Sequence, residues 1–329
     1  MAKRALVTGA TGFLGAHLVC TLLQKGYAVT AAKRSSSQLQ TFASIAQFRH
    51  CQDQPKWIDL DLQDAEELEI AFAEVDVVFH CAAKVSFRKA DKDELMETNV
   101  LGTRHVVNAC LKTNKPLVYA SSVAAIGRTG NAAPISESTE YKESPYNTDY
   151  AYSKYLAEME LWRGVEEGLQ ASCVNPGIIL GLGDGHSGSN QLYRMVKNRI
   201  PFMPTGTNGF VAVEDVSRHM VDLFESGRWG VREICVAETL RYSDLFHDIA
   251  AHLNMAPPPI KLDGFWLKLF FALSRSCELL RIPFFISTQA LHSTHSDSIY
   301  QSQYGFFHKL GPERISEVNR RALRAIFAP

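Results

Sequence analysis

Tyr150 and Lys154 stand four residues apart in the run Tyr150-Ala151-Tyr152-Ser153-Lys154. On a helix this spacing puts a phenol and an ammonium on one face, with Cβ atoms about 5–6 Å apart. A free tyrosine ionises near pH ~10, too high for proton exchange at neutral pH. A neighbouring cation favours the phenolate and lowers that value, so the pair is expected to act as a general acid–base unit. Tyr152 is the other phenol in the run, but its partner one turn on is Leu156, which has no charge to lend.

A second motif, Thr8-Gly9-Ala10-Thr11-Gly12-Phe13-Leu14-Gly15, follows an apolar run near the start of the chain. Glycines here allow a tight turn, close approach of backbone to a pyrophosphate, and packing of helix on strand. The amides that open the helix then favour an anion. The spacing differs from the usual dinucleotide fingerprint, in which the first two glycines are closer. A second run ends Thr30-Ala31-Ala32-Lys33-Arg34-Ser35-Ser36. An NAD site usually carries an acid there for the ribose hydroxyls. Two cations stand there instead, and a guanidinium suits a 2′-phosphate. The expected cofactor is therefore NADP(H), with Arg34 the main contact and Lys33 the second; NAD(H) is the alternative.

These groups need a scaffold. Arg4–Thr8, Ala28–Ala32, Lys56–Leu60, Val75–His80, Leu117–Ser121 and Ala171–Val174 read as strands, separated by stretches of helical length. Asp64-Ala65-Glu66-Glu67 is a capping-box pattern. Strand–helix alternation predicts an α/β fold, a Rossmann-type doubly wound parallel sheet with its ligand crevice at the strands' carboxyl ends. After Asn175-Pro176-Gly177 the pattern loosens. Residues 200–209 hold two prolines and two glycines and cannot form one helix. The nucleotide-binding domain is placed at 1–175, with a strand and helix returning from about 211–237. A smaller substrate-binding domain takes 176–210 and 238–329.

Composition narrows the function classes. The chain has 329 residues, 46% hydrophobic and 21% charged, with a formal net charge of −1. No global field favours nucleic acid or an anionic surface, and no basic helix points to a nucleic-acid partner. The seven cysteines, Cys20, Cys51, Cys81, Cys110, Cys173, Cys235 and Cys277, form no CxxC pair. Neither a disulfide framework nor a metal site is expected, and a reducing compartment fits. Ala5-Leu6-Val7 is too short for a signal segment. The apolar stretch from Gly264 to Leu280 is broken by Lys268, Arg275 and Glu278, so it is read as a packing or lid helix and not a membrane span. A soluble cytoplasmic protein with a small-molecule substrate is expected.

The glycine turn, the Tyr-x-x-x-Lys run and Ala120-Ser121-Ser122-Val123-Ala124-Ala125-Ile126-Gly127 occur in an order that resembles the extended branch of the short-chain dehydrogenase/reductase family. That branch lies within the NAD-dependent epimerase/dehydratase superfamily. The likeness runs from Thr8 to about Val216, and the remainder matches in general character only. It implies that Ser122, five before Gly127, hydrogen-bonds the reacting oxygen, with Ser121 as the alternative if the register slips. Lys154 would also bind the nicotinamide ribose. Asp61 and Leu62 would lie against the adenine, with Asp59 the register alternative. Cys81, Ala82 and Ala83, after His80, would run beside the cofactor. Asn99 would order its helix near the lysine, while Pro176 and Gly177 would flank the nicotinamide. Asp215 would be structural. In this family, helices corresponding to Asn99–Cys110 and Tyr150–Glu167 often form a dimer interface, so a homodimer is a further expectation.

Two enzymatic readings follow, and one that is not enzymatic. The chain resembles dihydroflavonol reductases and 3-beta-hydroxysteroid dehydrogenases, which implies carbonyl–alcohol interconversion on a small, largely apolar substrate. Val85, Ser86, Phe87, Phe202 and Phe210 are the candidate substrate contacts, with Met203 a further apolar wall. A nucleotide-sugar epimerase or dehydratase with bound NAD is the alternative. That branch carries an asparagine where Ile178 stands here, and an arginine absent from Cys173–Gly181. A non-catalytic dinucleotide sensor is the third reading, disfavoured by the presence of both Tyr150 and Lys154.

Overall fold

The computed structural model describes residues 2–128, 134–183, 188–280, 287–303 and 311–327. Seven strands form one sheet: β1 (Arg4–Thr8), β2 (Ala28–Lys33), β3 (Lys56–Asp59), β4 (Val77–His80), β5 (Leu117–Ala120), β6 (Ala171–Pro176) and β10 (Arg232–Cys235). Their spatial order is β10-β6-β5-β4-β1-β2-β3, and every neighbouring pair is parallel. The chain runs outward from β1 to β3, then returns to place β4 on the other side of β1. That reversal is the switch point beside which α/β sheets hold their ligands.

The strands are apolar because helices cover both faces. On one face, α1 (Phe13–Gln24), α2 (Gln40–Phe48) and α8 (Val213–Glu225) pack Leu18, Leu22, Ile45, Val216 and Met220 against Val7, Phe79 and Val118. On the other, α3 (Ala65–Ala73), α5 (Gly102–Thr113) and α6 (Asp149–Glu166) bring Leu68, Phe72, Val106, Ala157 and Leu161 against Leu6, Val78 and Tyr119. Asp64 caps α3, accepting from the amides of Glu66 and Glu67. Glu67 does not close the reciprocal half of a capping box; its carboxylate takes the Asp61 amide at 3.3 Å.

The helix carrying Asn99 is longer than expected. A short turn, α4 (Lys92–Leu95), runs through wider π-helical turns over Met96–Leu101 directly into α5. Such turns re-aim side chains within a helix and recur at functional sites.

The remaining elements form smaller layers. β7 (Ile178–Leu180), β9 (Thr207–Ala212) and β11 (Glu238–Arg241) make a mixed sheet, and β8 (Phe202–Met203) pairs with β12 (Ile260–Lys261). The segment 200–209, too rich in proline and glycine for a helix, supplies β8 and the start of β9. Helices α7 (Gln191–Lys197), α9 (Tyr242–His252) and α12 (Ile315–Phe327) enclose a core with Tyr193, Phe210, Phe246, Val318 and Leu323. Helices α10 (Gly264–Leu279) and α11 (Thr288–His295) pack around Leu262, Phe270 and Leu291. Among the described residues no helix is long and apolar enough to cross a membrane.

Candidate active site

The ends of β1 and β4 meet at the switch point, with Thr8 opposite His80. Gly9 leaves β1 with φ of +67°, and a Cβ on it would sit 2.6 Å from the Ala82 nitrogen. A Cβ on Gly15 would sit 2.1 Å from the Gly9 carbonyl oxygen. Neither position admits a side chain, which is why the turn needs glycine there. Gly12 precedes α1 without a side-chain cap, and the helix's first turn, from Phe13 and Leu14 onward, holds no acid. Uncapped amides with no nearby carboxylate are the donor set a pyrophosphate takes. Thr11 is half-buried on the same turn.

At the end of β2 the two cations differ. Lys33 is ion-paired with Asp59 of β3. Arg34 is exposed and has no ion-pair partner among the described residues. Asp61 is exposed and accepts from the Gln63 amide at 3.0 Å, while the Leu62 side chain lies against Gly102. Past β4, the Cys81 amide donates to the Thr8 carbonyl at 3.2 Å and Ala83 is exposed. Burial pushes the Cys81 thiol up to about 12.

Thr148 opens α6 by accepting the Ala151 amide at 3.0 Å, which sets Tyr150 in the first turn. Three residues then share one face of the helix: Tyr150, Lys154 and Glu158. Tyr150 faces Ser122, whose hydroxyl lies within its hydrogen-bonding reach. Ser122 itself caps the turn Val123–Ile126, accepting from the Ala124 amide at 3.1 Å. Ser121 points the other way, into the protein, and gives its proton to buried Glu158. The two neighbouring serines thus separate into one facing the phenol and one fully engaged behind it. Tyr152 is 39% exposed and lies among Tyr141 and Tyr155 on the outer side of the helix.

Lys154 is buried, and its Nζ donates to the Tyr119 hydroxyl at 2.6 Å and the Ala120 carbonyl at 2.8 Å. Burial lowers its pKa to about 8, partly opposed by the carboxylate of Glu158. The expectation that this cation acidifies Tyr150 needs correction. Burial raises the Tyr150 pKa above its ordinary value, and the Ser122 hydroxyl offsets this only in part. The physical reason is the burial of the phenol, while the hydrogen bonds of the ammonium run to β5.

Asn99 sits in the π-helical turns with its amide fully used. It accepts from the Lys84 nitrogen at 2.8 Å and donates to the Lys84 carbonyl at 3.0 Å and to Ser153 Oγ at 2.9 Å. Ser153 in turn donates to the Tyr150 carbonyl at 2.8 Å. Asn99 therefore ties the segment after β4 to the helix that bears Tyr150. Asn175 in β6 donates to the Ser122 carbonyl at 2.9 Å and to Glu158; Pro176 ends the strand, and the Gly177 amide donates to the Cys235 carbonyl at 3.0 Å.

The candidate substrate contacts do not all reach this centre. The Phe87 ring is edge-on to Tyr150 at 6.1 Å, and Val85 nearby is 52% exposed. Ser86 gives its hydroxyl to Asp91 at 2.6 Å, which shapes the loop. Phe202 packs on Phe270 at 4.5 Å in the α10–α11 cluster. Phe210 is corrected from a wall to a core residue: it is 0% exposed, edge-on to Tyr242, because its side of β9 faces the inner layer. Met203 is likewise in that core. Asp215 is buried, bound to Arg218 and to the Glu313 amide.

Sequence reasoning did not single out Tyr119, Glu158 or Arg232. Glu158 receives Ser121, Asn175 and Arg232, the last at 2.6 Å. Its place one turn beyond Lys154 was a readable signal; Arg232, far along the chain on β10, was not.

The chain belongs to the NAD dependent epimerase/dehydratase family, whose pattern it matches over residues 5–233. It is thus an NAD(P)-dependent enzyme of the extended short-chain dehydrogenase/reductase type. It is 29% identical to tetraketide alpha-pyrone reductase 2 of Arabidopsis thaliana, over 73% of this chain and 79% of that one. The crystal structure of gox2253 superposes with a TM-score of 0.82 at 27% identity, covering 99% and 98% of the two chains. The Thermus thermophilus UDP-glucose 4-epimerase in complex with NAD shares the fold, with a TM-score of 0.75 at 21% identity over 99% of both chains.

Proposed function

We propose that the protein is an NADP(H)-dependent reductase or dehydrogenase interconverting a carbonyl and an alcohol on a small, largely apolar substrate. The observation that carries this reading is Tyr150 facing Ser122, with buried Lys154 one turn along the same helix. The cofactor, held at the glycine turn and by Arg34, would supply or accept the hydride. Ser122 and Tyr150 would both hydrogen-bond the reacting oxygen. In reduction Tyr150 Oη gives its proton to that oxygen as negative charge develops. A phenol whose pKa is raised by burial is protonated at neutral pH, as a proton donor must be. Lys154 keeps a positive charge behind the phenol, and Asn99 acts as a positioning residue through Ser153. Similarity to a named reductase agrees with this reading. An assay of carbonyls, alcohols and nucleotide sugars with NADPH and NADH tests it; turnover confined to nucleotide sugars, with NAD retained on purification, would refute it.

The nucleotide preference has its own test. Arg34→Ser removes the one cation at the end of β2 that has no ion-pair partner among the described residues. It is expected to raise KM for NADPH by about 10–100-fold, the size of a lost charge-assisted contact, and to leave KM for NADH within about threefold. An unchanged NADPH/NADH ratio sinks the assignment.

Reduction needs Tyr150 protonated and Lys154 charged. Because the Lys154 pKa is lowered to about 8, the reductive kcat/KM should be flat from about pH 6 to 7.5 and fall as pH rises through about 8. A profile still flat at about pH 9.5 contradicts a role for the charged lysine.

A further inference from the structure

The lysine's ammonium is anchored by a chain of buried hydrogen bonds in which every proton can be placed. Lys154 Nζ donates to Tyr119 Oη at 2.6 Å, so the Tyr119 proton must go elsewhere, and Thr103 Oγ1 is within its reach. Thr103 uses its own proton on the Asn99 carbonyl at 2.6 Å. Its oxygen is therefore an acceptor toward both Tyr119 and His80 Nε2, the latter at 3.1 Å. That assigns the His80 proton to Nε2 and leaves Nδ1 to accept from the Thr8 hydroxyl at 2.7 Å. Thr8, His80, Thr103, Tyr119 and Lys154 are each at most 1% exposed. The His80 ring stacks on Tyr119 at 5.4 Å, and Lys154 Nζ lies 4.3 Å from the Tyr119 ring centroid.

We infer that Tyr119 is a positioning residue: its hydroxyl, oriented by Thr103 and His80, holds the Lys154 ammonium at the end of β5 in the place the Tyr150–Ser122 centre requires. This rests on the reductase reading above. The surroundings of the ammonium show why it needs the phenol. Glu158 from its own helix is its one anionic neighbour among the described residues, and Arg232 already binds that carboxylate. Cys81 after β4 and buried Cys173 in β6 carry thiols whose pKa values are raised by burial, so they stay neutral. His80 from β4 is held neutral by burial, its pKa lowered to about 3. Tyr119 and Tyr150 stay protonated because burial raises both. With so little counter-charge, hydrogen bonds to Tyr119 and Ala120 hold the charged form in place. The same chain ends on Thr8, the first residue of the glycine turn, so the seat of the lysine and the cofactor turn share one rigid support.

Tyr119→Phe keeps the ring and removes the hydroxyl that accepts from Lys154. The reductive kcat should fall about fivefold at about pH 8, and the alkaline limb of kcat/KM should move down by about one pH unit, as the loss of a hydrogen bond to the charged form requires. KM for the carbonyl should change less than about threefold. A wild-type pH profile with kcat within twofold would overturn the inference, as would a lowered melting temperature with unchanged kinetics. If Tyr119→Phe does not fold, Thr103→Val carries the test: it leaves the phenol but removes the acceptor of its proton. A limb shifted in the same direction supports the inference, and an unshifted limb overturns it. Tyr150→Phe is assayed in parallel. Activity in that variant overturns both readings; an inactive Tyr150→Phe beside a wild-type Tyr119→Phe overturns this one alone.

Discussion

Tyr150→Phe is expected to lower the reductive kcat/KM by about 10³-fold while the melting temperature and NADPH affinity stay close to wild type. Loss of a positioned proton donor costs about 10²–10⁴ in rate, and loss of a donor to the developing oxyanion adds to it. The substitution removes one oxygen. The ring remains to pack edge-on against Phe87, and the Thr148 cap that seats the helix is untouched. Ser122 keeps its bond from the Ala124 amide, so the turn after β5 has no reason to move. The comparison that isolates the effect is Tyr152→Phe, two residues along and on the exposed side of the same helix. It should retain activity within about twofold, since exposed positions away from such features rarely matter. Stopped-flow turnover and fluorescence titration of NADPH give both quantities. A Tyr150→Phe enzyme with a tenth or more of wild-type turnover removes the phenol from the chemistry.

The second large effect is on stability. Glu158 is 0% exposed and gathers Ser121, Asn175 and the Arg232 guanidinium, whose side chain is 17% exposed. Glu158→Leu takes away the carboxylate that guanidinium is paired with and leaves two further donors without their acceptor. Removing one member of a buried pair costs about 3–5 kcal/mol, because the other charge is left uncompensated. In a chain of this length that lowers the melting temperature by about 5–10 °C. Replacing both members, Glu158→Leu with Arg232→Met, should recover part of the loss, since two apolar groups need no counter-charge. Thermal unfolding of the two single variants and the double variant measures the coupling. A single variant melting within about 2 °C of wild type would mean that water or a neighbour already satisfies Arg232.

How much of this was readable beforehand depended on distance along the chain. The glycine turn, its strand and its helix are contiguous, so Thr8 to Gly15 could be read from residue type alone. Tyr150 and Lys154 share a face by helical geometry and needed no fold to be paired. The choice of Ser122 over Ser121 depended on a counted register, and the structure separates them by what each hydroxyl meets: the Tyr150 phenol or Glu158. Lys33 read as the second contact for the 2′-phosphate, and only the fold brings Asp59 of β3 beside it. The partners of His80, Thr8 and Thr103, reach it only across neighbouring elements and could not be read from its own segment. Phe210 failed as a substrate contact for a related reason. Strand alternation shows that one side of β9 is inward, but not which layer that side meets. The direction of the Lys154 ammonium was hidden too, because a shared helix face limits where a long side chain starts and not where its end is bound.

One strand ties a distant part of the chain to the helix that bears Tyr150. β10 is the edge of the large sheet beside β6, yet it lies more than fifty residues later, and it is the strand that carries Arg232 to Glu158. During synthesis the helix bearing Tyr150 leaves the ribosome well before the cation that steadies its buried carboxylate. Until β10 docks, β6 has an open edge, which is an invitation to pair with another nascent chain. A fragment ending at residue 200 should therefore be prone to aggregate, and co-translational maturation of the site should wait for the far half of the polypeptide to arrive.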